Sequence, residues 1–156
     1  MAEQITNGGM QYVPQLAAVQ QIVYLDFDGE PTSYNGEILS LENVEVQNSS
    51  LTEERINNIV TALNEKYASQ NVVFVTVRPK TGEYSTIFIG KTTAFDSYGN
   101  FTGVAETIDT DNQNKSDNAF VTLDATATDS QIIATIAHET DPIYFILKRR
   151  STNQRL

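Results

Sequence analysis

Between Val72 and Asp124, four β-forming segments follow one another with no helical periodicity among them. They are "VVFVTVR" (72–78), "YSTIFIG" (84–90), "GVAETID" (103–109) and "NAFVTLD" (118–124). Short runs rich in Val, Ile, Phe and Thr suit strands, because branched and aromatic side chains pack well on a pleated surface. A doubly wound parallel sheet would need helical crossovers between these strands. None is patterned here, so hairpins or short crossovers are expected. "GVAETID" is the shortest and most polar, as an edge strand would be.

Before this block, "QIVYLDF" (21–27) alternates as a strand, and "DGEPTSYNG" then supplies turn residues. A further short strand is expected around Ile38 to Val46. "SLTEERINNIVTALNEKYASQ" is the clearest helix: Ile56, Ile59, Val60, Leu63 and Tyr67 recur at helical spacing. Ser50 with Glu53 has the pattern of a capping box, in which each side chain satisfies a free amide of the first turn. Thr128 with Gln131 repeats that pattern ahead of "IIATIAHETDP". The order of segments predicts an α+β fold, a mixed and mostly five-stranded sheet with two helices packed on it.

The 156 residues suit one compact unit. Residues 1–20 read as a polar, flexible arm, 21–141 as the folded domain and 142–156 as a tail of different character. Lys148, Arg149, Arg150 and Arg155 are four of the ten basic residues, while all 20 acidic residues precede them. A net charge of −10 argues against nucleic acid as partner, since a phosphate backbone demands clustered cations. The chain has no cysteine, which excludes disulfides and Cys-type zinc sites. No apolar run approaches the ~20 residues of a membrane span, and residues 1–20 lack the basic start and apolar stretch of a signal peptide.

The chain's one histidine lies on the last helix. Turning about 100° per residue, Ile132, Ile133, Ile136 and Ala137 share the stripe that faces the sheet. His138 points to nearly the opposite side, Glu139 lies at its flank, and position 142 returns to the face of His138. In a His-Glu-x-x-His helix this spacing lets two imidazoles reach one zinc ion, with the Glu taking a proton from the metal-bound water. Here position 142 is Pro142, which brings no imidazole and disfavours helical geometry at Asp141.

"IVYLDFDGE", the long helix, the strands "VVFVTV", "STIFIG", "GVAETID" and "NAFVTLD", and "DSQIIATIAHET" together resemble the upper subdomain of zincin metallopeptidases. More narrowly, they resemble metzincin-like bacterial peptidases, and the likeness runs from about residue 21 to Asp141. The resemblance implies a zinc-dependent peptidase lineage with His138 as first metal ligand and Glu139 as general base. It implies an edge strand, Gly103, Val104, Ala105, Glu106 and Thr107, that pairs with an extended peptide or protein substrate, in a secreted or periplasmic setting. The second and third ligands are missing, so neither peptidase activity nor tight zinc binding is expected. The tail after Asp141 is expected not to be the original continuation, whether through frameshift, truncation or engineering. Its apolar run, Ile143 to Leu147, would cover the surface a lower subdomain normally covers, or drive self-association.

Two other functions are compatible with the sequence: a non-catalytic peptide-binding or structural domain, and a Mg²⁺-dependent phosphatase. The second rests on "VYLDFDGE", which resembles the opening motif of haloacid-dehalogenase-type phosphatases. Asp26 would be the nucleophile and Asp28 the general acid. The plainer expectation is that both carboxylates alternate onto the solvent side of the strand while Val23, Leu25 and Phe27 face the core. A calcium loop starting at Asp109 fails, with Asn114 where Gly is needed and Phe120 where Glu is needed.

Overall fold

The computed structural model describes residues 20–36, 39–98, 102–106, 117–124 and 126–140. Residues 1–19, Ile38, Thr107, the Asp109 loop to Asn114, Asp141, Pro142 and the whole 143–156 tail lie outside them. Along the chain come β1 (Gln21–Asp26), β2 (Pro31–Asn35), β3 (Ser40–Glu45), α1 (Glu53–Lys66), β4 (Val72–Val75), β5 (Ser85–Gly90), β6 (Gly103–Ala105) and β7 (Asn118–Thr122). A second helix, α2, follows over residues 129–140.

Five strands form one sheet in the order β4-β1-β5-β7-β6, and β2 pairs with β3 in a separate two-stranded sheet. The pairs β1–β4, β1–β5 and β5–β7 are parallel, whereas β6 runs antiparallel to β7. The result is the mixed α+β sheet expected, with β6 at its edge. Strands in the middle of the parallel block are buried on both faces, which requires near-continuous apolar sequence. That is why "STIFIG" reads as buried at every position.

One face carries the helices. Val23, Leu25, Ile87, Ile89, Ala119 and Val121 of the sheet meet Ile59, Leu63 and Tyr67 of α1 and its cap, and Ile132, Ile136 and Ala137 of α2. Each fully buried Leu or Ile contributes about 1.5–3 kcal/mol. The helices lie side by side in the same direction. Near their starts, Arg55 Nε pairs with Asp129 Oδ1 at 2.7 Å and Arg55 Nη2 donates to Ala127 O at 2.8 Å. Further on, the Tyr67 hydroxyl donates to Ala137 O at 3.3 Å.

The opposite face carries what the sequence pattern hid. "PTSYN" is not turn but strand, the first arm of the β2–β3 hairpin. Only Tyr34 in it is buried, so no period-2 pattern stands out. Pro31 opens the strand, where the missing amide costs no ladder bond. The hairpin closes a second core of Tyr34, Val44, Val46, Phe88, Phe95 and Phe120. Phe88 and Phe120 stack at 5.2 Å, and Tyr34 meets Phe95 edge-on at the same separation.

Two expectations are corrected. The cap of α1 is Thr52, whose Oγ1 accepts from Arg55 N at 3.2 Å, and not Ser50. Ser49 N donates to Phe27 O, tying the chain to the sheet, and Ser50 must then turn sharply at φ 62° before the helix can start. Asp26 is not on a solvent face: it is 2% exposed, while Asp28 is exposed as expected. Residues 76–84, crossing from β4 to β5, place Arg78 over the Tyr24 ring at 4.8 Å and Tyr84 edge-on to that ring, so this face of β1 is covered too. At the Thr128–Gln131 pair the box forms, with Thr128 N donating to Gln131 Oε1 at 2.9 Å and Gln131 N to Thr128 Oγ1 at 3.2 Å.

Candidate functional site

β6 defines the site. Thr122 N donates to Thr102 O and Glu106 N to Asn118 O, both at 3.0 Å. In an antiparallel pair the bonded positions alternate, so the backbone groups of Gly103 and Ala105 point away from β7. Among the described residues, no strand pairs with that outer side of β6.

α2 passes beneath this edge with its sequence arranged in two stripes. Ile132, Ile136 and Ala137 are buried against the sheet, and His138 is exposed on the far side. Glu139, next along, is 5% exposed. Its side chain rises against the edge strand, so that a Cβ on Gly103 would stand 2.5 Å from Glu139 Oε1. Burial pushes this carboxyl above its ordinary range, and the neighbouring His138 pulls it back only in part. Of the residues singled out from the sequence, Gly103 and Glu139 thus meet directly, while Thr107 lies outside the described residues.

A cleft of about 420 Å³ opens between the start of α2 and the end of β7. Val121, Ile132 and Ala134 line it together with Thr102, Thr122 and Thr135. Gln131, Ala134 and Thr135 precede His138 by seven, four and three positions, the spacing of one helix face. The cleft therefore borders the start of the α2 face that carries His138, which does not itself line it. Among the described residues, Asp124 is the one charged residue lining it.

On the hairpin side, sequence reasoning missed Tyr34, whose hydroxyl donates to Ala105 O at 3.1 Å. Burial, with the carboxylates of Glu106 and Glu139 adding to it, pushes this hydroxyl above its ordinary range, so it stays a proton donor at neutral pH. Glu106, expected to touch substrate, instead ties the fold together. Its Oε1 accepts from Asn35 N at 2.9 Å and its Oε2 from Asn118 N at 2.8 Å. A lone aromatic in a polar segment was the only signal for Tyr34. The signal for Glu106 was a carboxylate directly after the Gly-Val-Ala run of β6.

The described residues do not fit a zinc centre. A catalytic zinc takes three protein ligands. The chain supplies one imidazole, and among the described residues no group of three or more His, Asp or Glu side chains could hold a metal ion. At the carboxyl end of β1, Asp26 Oδ1 accepts from Asp28 N at 2.9 Å and Gly29 N at 3.2 Å. Arg78 stands 3.8 Å from Asp26 Oδ2 and pairs with Glu30. This carboxylate closes a turn and is nearly sealed from solvent. No helix among the described residues is long and apolar enough to cross a membrane. No protein-family model, curated protein or solved structure matches this chain.

Proposed function

We propose that this chain is a relative of zinc-dependent metallopeptidases that binds extended peptides along β6 without hydrolysing them. The observation that carries the proposal is the antiparallel edge strand with outward backbone groups at Gly103, set over a helix that exposes His138. An extended peptide satisfies such an edge by adding a strand, and an adjoining cleft gives it side-chain selectivity. The partly apolar lining suits an apolar side chain. A net charge of −10, with Asp124 in the cleft, steers basic segments toward it, leaves neutral ones unbiased and repels acidic ones.

Elemental analysis of the purified protein tests the metal half of this, with substoichiometric zinc and no chelator-sensitive proteolysis expected. Stoichiometric zinc with chelator-sensitive cleavage of casein would overturn it. For the binding half, a library of acetylated hexapeptides is screened by fluorescence anisotropy, and saturable binding is expected for members lacking Asp and Glu.

A further inference from the structure

The geometry points to Tyr34 as a register stop, a side chain that caps the outer edge of β6 at Ala105 and confines an added strand to Gly103. This rests on the strand-addition reading above and names the residue that decides where the strand can pair.

Among the described residues, an edge strand of three residues offers few outward groups: the amide and carbonyl of Gly103, and those of Ala105. The Tyr34 hydroxyl already donates to the Ala105 carbonyl at 3.1 Å. That hydroxyl is not free to swing away. Its ring is 8% exposed and packs edge-on against Phe95 at 5.2 Å and Phe120 at 6.0 Å. The hairpin end next to it is anchored by Asn35 N to Glu106 Oε1. Asn118 Nδ2 also donates to Ser33 O at 3.4 Å. The hairpin therefore reaches around the sheet from its other face and occupies the edge at Ala105. Gly103 lies two residues away with its backbone groups outward. An antiparallel peptide residue opposite Gly103 can both donate to its carbonyl and accept from its amide. The peptide residue two positions nearer the peptide N-terminus would need the Ala105 carbonyl, and meets the tyrosine hydroxyl instead.

An N-methyl scan reads this directly, because methylation abolishes one amide donor at a time. The tightest member of the acetylated hexapeptide library is methylated at each amide and titrated against the wild type and Tyr34→Phe. In the wild type, one amide should be intolerant, losing about tenfold in affinity, roughly one hydrogen bond. In Tyr34→Phe, the amide two residues toward the peptide N-terminus should become intolerant as well. Identical scans for the two proteins, or two intolerant amides in the wild type, overturn the stop. Hydrogen exchange on the wild type supplies a reading that needs no variant: bound peptide should protect the Gly103 amide and leave Ala105 unchanged, and equal protection overturns the stop. If no hexapeptide binds the wild type, or binding tolerates every methylation, strand addition itself fails and the stop falls with it.

Discussion

The Glu139 carboxyl lies where a side chain on Gly103 would stand, and the two residues' chemistry is separable. A methyl group on Gly103 meets the Glu139 carboxyl at 2.5 Å and its Cγ at 3.0 Å, so Gly103→Ala must displace that side chain. We expect a loss of about 1–3 kcal/mol, much of it recovered in the Gly103→Ala/Glu139→Ala double variant, as a double-mutant cycle by urea unfolding would show. Additive losses would mean that the strain lies in the strand backbone. Glu139 also predicts a pH dependence. Its folded-state value is raised, so the folded protein holds this proton more tightly than the unfolded chain does. The resulting stability is fully present below the unfolded carboxyl value, ~4.3, and is lost as pH rises through the raised value. Thermal melts across that window should fall less steeply for Glu139→Gln than for the wild type. Parallel curves would show that the carboxyl is hydrated.

At the scale of elements, the two helix starts look alike in sequence and differ in space. Thr128 and Gln131 satisfy each other's amides, so Thr128→Ala should cost about 1 kcal/mol, read as a shift in urea midpoint at constant slope. Ser50 matched the same pattern, yet it sits at φ 62°, a left-handed conformation that glycine adopts without strain. Ser50→Gly should therefore be stabilising by about 0.5–1 kcal/mol, where loss of a true cap would destabilise. The pattern was readable at both places. What decided between them was the Ser49–Phe27 backbone bond, which fixes how far the chain has yet to turn.

Across the whole molecule, the site depends on both faces of the sheet. Phe120 is 1% exposed and contacts Tyr34, Phe88 and Phe95, so it supports the hairpin and the edge strand together. Phe120→Ala should lose about 3–5 kcal/mol in chemical denaturation. It should also weaken peptide binding, whereas an equally costly cut in the helix-side core, Ile59→Ala, should leave binding of the folded protein intact. The strands of the main sheet, the two helices, the edge character of 103–105 and the outward face of His138 were legible in the chain. Each of these is written in local periodicity, polarity or spacing. Folding in three dimensions was needed to show that "PTSYN" pairs as a strand, that Asp26 is buried, and that Tyr34 and Glu106 converge on the edge strand. Those features come from segments up to 71 positions apart meeting across the sheet, and such pairings leave no periodic trace in the chain.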